Sequence, residues 1–298
     1  MTQRLAVNVD VDALHLYRDI HGLPRTGASR AAWLIGVPRF LEMFEDFNLR
    51  GTFFAVASDL LNPECRSVAE DVVRRGHELA SHSHTHPYDL IHRSDSAIAR
   101  EIIESDALLS EVRGSPVRGF RAPGYNIDDR MRRVLVDRGY HYDSSVLPCP
   151  AYYLARAAVI SWLALRGRPS QSIVGDPLTS FESRYPQRIS SGAGRGLVEF
   201  PMSVLPWIRF PIIGTSLALL GAAGVRYLGP ALERMEFVNL EFHAIDLLDA
   251  ADVPGSPLIG KQPDLARSVS TKRQAFEEAF RRCSAARNDT LENFAAEF

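Results

Sequence analysis

Short β-rich runs alternate with helical apolar patterns through most of the chain, and that alternation narrows the possible folds more than any other feature. Residues 4–9, 51–56 and 77–81 read as strands; helical spacing falls at 31–47 and at 68–75, where Gly76 is placed to stop it. An amphipathic helix is expected at 97–112, further strands at 117–120, 140–143, 197–200 and 237–242, and a closing helix at about 272–286. Strands separated by helices imply a parallel sheet with crossover connections, and so an α/β barrel or a doubly wound sheet. In either architecture the active site forms at the carboxyl ends of the strands. The segment 148–191 breaks the rhythm, being rich in Pro, Arg and Ser around one apolar helical stretch at 153–165. It reads as an insertion over one face of the sheet, so 1–298 is expected to be a single domain.

Residues able to do chemistry fall where that rule wants them. Asp10 and Asp12 follow the first strand, His82 and His86 the third, Arg121 the fourth, and His243 the last. The run SHSHTHP (81–87) is the densest signal. One histidine is usually structural, but three within five residues after a strand point to metal ligation by neutral imidazole. His82 and His86 can converge on one ion from a single turn, leaving His84 solvent-facing or supporting. The neighbouring His77-Glu78 resembles the start of a zincin helix, but that motif needs a histidine at 81, where this chain has Ser81.

In VNVDVDA (7–13), Asp10 and Asp12 are two apart on extended backbone and lean the same way. Two acids in an apolar strand end repel unless a metal takes one and an arginine the other. RGFRAPGYN (118–126) places Arg121 before a Pro-Gly turn, where it could hold a carboxylate and where the Tyr125 amide could point at a developing oxyanion. In LEFHAIDLLD (240–249), His243 ends a strand.

The order Asp-x-Asp, His-Ser-x-x-His-Pro, Arg-x-Pro and a late strand ending in His resembles the polysaccharide deacetylases, the NodB-homology or carbohydrate esterase family 4 proteins. The resemblance runs from residue 5 to about 249, apart from the insertion. It implies a distorted (β/α) barrel, usually seven-stranded, and a metal-dependent hydrolase that removes an acetyl or formyl group from an amino sugar or glycan. By matching motif it makes Asp10 the general base, Asp12, His82 and His86 the metal ligands, Arg121 the residue orienting Asp10, and His243 the general acid. The Asp-x-Asp branch includes peptidoglycan deacetylases, allantoinase-like amidases and a deformylase of lipid-linked aminoarabinose. The family's fourth motif, an Asp near a Trp, has no plain counterpart; Tyr142-Asp143-Ser144-Ser145 lies where it would begin, which offers Asp143 as the residue tuning His243.

The divalent ion implied is zinc first, with cobalt, nickel, iron or manganese as alternatives. Two rival readings of the same residues are a facial-triad Fe(II) oxygenase and a non-catalytic sugar-binding protein. The net charge of −2 gives no reason to expect nucleic acid. Cys65, Cys149 and Cys283 show no CxxC spacing, no signal peptide is visible, and a cytoplasmic setting is expected. Apolar stretches at 153–165 and 210–225 fall short of the ~20 residues that span a bilayer. They are expected to be buried core helices; the alternative is a membrane-surface face for a lipid-linked sugar, with arginines near its phosphates.

Overall fold

A computed structural model describes residues 2–24, 29–190 and 196–298. All nine strands among them join one sheet. Seven strands run parallel, in the order β7 (Gly196–Glu199), β5 (Tyr142–Asp143), β4 (Gly119–Phe120), β3 (Glu78–Ser81), β2 (Gly51–Ala55), β1 (Arg4–Val11) and β8 (Phe237–His243). β6 (Gln187–Ser190) adds an antiparallel edge to β7, and β9 (Arg287–Asn288) pairs with the start of β1. The sheet curls, and the gap between β7 and β8 is bridged by Asn239: its backbone accepts from Ser203 N at 3.0 Å, and its side-chain amide donates to Phe200 O and Pro201 O. The result is the expected distorted (β/α) barrel.

β1 shows how the sequence sets the two faces. Leu5, Val7, Val9 and Val11 pack outward into the main core with Phe40, Phe44 and Phe53. Their alternates Ala6, Asn8, Asp10 and Asp12 face the inside of the curl, as a period of two requires. The floor of the inside is apolar, built from Ala6, Phe54, Ala80, Tyr142 and Phe200 and closed by Leu291 and Phe294 of α9 (Leu291–Ala295). Polar side chains follow one step further along β1, β3 and β5, at Asn8, His82 and Ser144, so the site stands on an apolar floor at the carboxyl ends.

Helices cover the outer face: α2 (Val37–Asp46), α3 (Pro63–Arg74), α4 (Asp95–Arg113), α5 (Asp129–Asp137), α7 (Gly214–Leu232) and α8 (Val269–Arg282), while α1 (Leu14–Ile20) lies at the carboxyl ends of the strands, beside the cleft. Asn62 and Ser94 cap α3 and α4, and Gly114 ends α4 in the left-handed conformation, φ 69°. The helix expected at 31–47 begins with a π-helical turn, Ala32–Gly36, before α2. Gly36 is required there, because a Cβ would lie 2.3 Å from the Ala244 carbonyl oxygen. The cysteines are buried free thiols.

The expectation of buried core helices needs correction. α7 does bury Leu217, Val225 and Leu232, but α6 (Pro150–Leu165), in the insertion, buries only Tyr153 and Leu163. Its apolar surface goes all the way round the helix and has too few neighbours to cover it. The insertion sits at the mouth of the barrel more than over a sheet face, since Arg156 of α6 donates to Gly124 O at 2.6 Å; its last residue, Ser191, lies outside the described residues. Among the described residues no helix is long and apolar enough to cross a membrane.

Candidate active site

Asp12 ends the polar face of β1, and the chain after β3 brings two imidazoles to it. Asp12 Oδ1 lies 3.4 Å from His82 Nε2 and 3.5 Å from His86 Nε2, with all three residues buried. His82 Nδ1 donates to the Arg121 carbonyl at 2.8 Å, which fixes the tautomer and leaves Nε2 as a lone pair facing Asp12. The loop holding the histidines is strained: Ser83 and His86 sit at φ 65° and 56°, a region costly for non-glycine residues. Ser83 Oγ pins it by accepting from His86 N at 3.0 Å.

A divalent ion fits this group. Asp12 Oδ1 and His86 Nε2 are buried without a hydrogen-bond partner, which is costly unless something else binds them. Burial, ahead of attraction to His82, raises the Asp12 carboxyl above its ordinary range. Burial, followed by repulsion from His82, pushes His86 well below its own. Imidazole held neutral beside a carboxylate short of positive charge is the donor set a metal completes.

Asp10 has a different environment. Its Oδ1 accepts from Arg121 Nη1 at 2.6 Å, while Oδ2 lies 3.8 Å from His82 Nε2 and has no hydrogen-bond partner. The fully buried Arg121 is held on every side: it donates to Asn8 Oδ1 at 2.5 Å, Ser144 O at 2.7 Å and Ser144 Oγ at 2.8 Å, over the Phe54 ring. Arg121 thus fixes one oxygen of Asp10 and leaves the other facing the cleft. Asp10 with Glu241 and His243 forms a second cluster of possible ligands, in which Arg121 takes Asp10 Oδ1 and the His243 ring stands against Glu241 Oε1, while Asp10 Oδ2 and Glu241 Oε2 have no hydrogen-bond partner.

His243 closes the opposite side, with Nε2 3.8 Å from Asp12 Oδ2. Its Nδ1 is 2.8 Å from Glu241 Oε1. Burial alone would favour the neutral ring, but Glu241, then Asp10 and Asp12, outweigh it and push the imidazole well above its ordinary value. The expectation that Asp143 tunes His243 is therefore replaced. Asp143 accepts from Ser145 Oγ and shares its environment with Glu199, and Glu241 is the acid at His243. Glu241 and Asn8 were missed in the sequence, although both sit two residues before a functional residue on the same strand face. His84 points away toward Glu104, at 3.7 Å.

Tyr125 also departs from expectation. Its N–H is donated to Ala122 O at 3.0 Å, closing the turn that follows Arg121, so it is not a free donor for an oxyanion. Its ring, at φ 61°, lines the cleft with Tyr17, Tyr88 and Tyr152. The cleft has a volume of about 230 Å³. A larger cavity of about 1050 Å³ lies near the opposite strand ends, beside Leu5 and His77, but its Arg74 and Arg75 are paired with Asp71 and it brings no ligand cluster together among the described residues.

Residues 35–142 match the polysaccharide deacetylase family model. The chain is similar to the peptidoglycan deacetylase of Helicobacter pylori, 24% identical over 149 residues, covering 48% of this chain and 49% of that one. It is 31% identical over 91 residues to a bifunctional xylanase/deacetylase of Pseudobutyrivibrio xylanivorans, covering 30% of this chain and 15% of that protein. It thus spans half or less of the length of these curated relatives. Among solved structures, Puue allantoinase superimposes with a TM-score of 0.62 at 14% identity, over 98% of this chain and 89% of that one. A Mycobacterium smegmatis protein provisionally described as a polysaccharide deacetylase gives 0.62 at 20% identity, over 99% and 90%.

Proposed function

We propose that this chain, which carries a polysaccharide deacetylase domain, hydrolyses the amide of an N-acylated amino sugar with the help of a divalent ion. The observation that carries the reading is the division of labour between two aspartates two residues apart. Asp12 faces two imidazoles, while Asp10 is held by Arg121 and keeps a free oxygen. Binding alone needs no such asymmetry, whereas hydrolysis needs a ligand and a base side by side.

Asp12, His82 and His86 would hold the ion, with zinc the first choice for two nitrogens and one carboxylate. When bound, such an ion polarises an acyl carbonyl and makes water more acidic. The chain's own residues do the rest. Asp10 Oδ2 is placed to take the proton of an attacking water, since Arg121 prevents that carboxylate from turning away. His243 stands across the cleft with Nδ1 against Glu241, which favours the charged ring, and delivers its Nε2 proton to the departing nitrogen, without which the amine leaves as a poor anionic group. The tyrosine walls suit the apolar face of a sugar ring. Acetyl and formyl groups, on free or lipid-linked amino sugars, present the same reacting atoms.

The test is amine release from N-acetyl and N-formyl amino sugars, free and lipid-linked, by the wild type and His243→Ala. Loss of roughly 10²–10⁴-fold with metal content unchanged is expected. Full activity in the variant rules out the acid role, and no amine from any of these substrates counts against the reaction class.

A further inference from the structure

A helix apolar on all sides is ordinarily buried, and α6 is not. Leu154, Trp162 and Leu165 are 72%, 51% and 88% exposed. The surface continues beyond the helix. Arg209 fastens its own turn against the start of α6 and the short helix Pro177–Phe181, donating to Pro148 O at 3.3 Å and Ser180 O at 3.1 Å. On that turn Trp207 is 98% exposed at φ 74°, with Ile208 beside it, and Phe181 is exposed on the short helix. Large apolar side chains are therefore exposed on three segments that Arg209 ties together, a grouping of the kind that marks an interaction face.

The charge at the end of α6 is one-sided. No Asp or Glu occurs between Asp143 and Asp176, and of the arginines in that stretch Arg156 is bonded to Gly124 O and Ser172 while Arg166 and Arg168 are exposed at the end of α6. Arg166 lies over the Trp162 ring at 4.2 Å. At the end of α6, Trp162 and Leu165 beside the exposed Arg166 and Arg168, with no acid between Asp143 and Asp176, match the boundary between acyl chains and anionic headgroups. A second copy docked on this face about a two-fold axis would set arginine against arginine, which disfavours a dimer.

We propose that α6 and the Trp207 turn form a docking surface for an anionic lipid bilayer. The other side of α6 belongs to the cleft: Tyr152 and Arg156 line it, and Arg156 bonds the turn that holds Tyr125. Docking therefore brings the cleft mouth to the headgroup layer, so that the substrate enters from the lipid surface; this second step rests on reading the cleft as the catalytic site.

The experiment is co-sedimentation of the full chain with phosphatidylglycerol-containing and with pure phosphatidylcholine vesicles, together with tryptophan emission and sedimentation velocity. Expected are binding to the anionic vesicles that weakens with salt, a blue shift in emission, and at least roughly tenfold weaker binding by Leu165→Ser/Trp207→Ser. That variant keeps the thermal midpoint and the turnover of a soluble substrate. Absence of vesicle binding at low salt overturns the proposal, as does equal binding by the variant. So does self-association that the variant abolishes without lipid. Vesicle binding is read without catalysis, so a failure of the hydrolase reading leaves this result separately interpretable.

Discussion

Glu241 and Arg121 illustrate how single side chains make a generic metal site specific. Glu241 touches Nδ1 of His243 and, on this geometry, acts by holding that ring and its proton. Glu241→Gln should lower kcat by less than His243→Ala does, leave KM nearly unchanged, and move the pH profile, whereas Glu241→Asp restores part of the rate; a KM effect with kcat intact would remove the positioning role. Arg121 is a buried cation whose loss strands Asp10. Arg121→Met should cost about 3–5 kcal/mol in denaturant unfolding, the scale for breaking a buried pair, and Arg121→Lys should keep stability better than activity because it loses the fork. The proposed metal ligands and Arg121 were legible in the sequence because clustered histidines and paired acids are rare at strand ends. Glu241 and Asn8 are legible only through the two-residue period of their strands, because a single Glu or Asn within a strand has no clustering to mark it. The Tyr125 amide was not legible, because whether an N–H is already donated depends on the closure of a turn.

At the scale of elements, two groups at the entry to β3 respond to pH in opposite ways. Glu78 is buried, accepting from Thr52 Oγ1, Tyr142 OH and Glu292 N, and burial is the main cause of its rise from 4.5 to about 7. The fold prefers it protonated, so its contribution is full below pH 4.5 and is lost as pH rises through about 7. His77 is lowered from 6.5 to about 4, first by burial and then by Arg75. Its contribution is full above 6.5 and lost as pH falls through about 4. Between 4.5 and 6.5 the two slopes oppose one another. Glu78→Gln removes one of them: relative to the wild type, the variant should gain about 2–3 kcal/mol in unfolding free energy between pH 5 and pH 7, at roughly 1.4 kcal/mol per unit. Parallel curves for the two proteins would mean that Glu78 is ionised in the fold throughout. The long strands and helices were readable at this scale, as their periodicity repeats over enough residues. The short α1 and α5 were not, and α6 was read as core because hydrophobicity alone does not say what covers a helix.

For the whole molecule, the order of strands mattered more than their boundaries. The alternation of strands and helices put every candidate at a carboxyl strand end, and the curl of the sheet then brought β1, β3, β4 and β8 around one cleft. What the pattern did not contain was the closure through Asn239, which depends on side-chain hydrogen bonds between residues far apart in sequence. A bound ion ties β1 to the loop after β3, so zinc at a hundredfold excess over its dissociation constant should add about 2.7 kcal/mol of stability to metal-free protein. The thermal midpoint should rise accordingly in the wild type and stay fixed in His86→Ala; a rise of equal size in the variant would place the ion elsewhere. The most direct measurement is metal stoichiometry after zinc loading and dialysis, on folded wild type, Asp12→Ala, His86→Ala and Asp10→Ala. One ion per chain is expected in the wild type and in Asp10→Ala, and little in the other two. Full retention by Asp12→Ala and His86→Ala, or no ion in the wild type, would contradict the assignment.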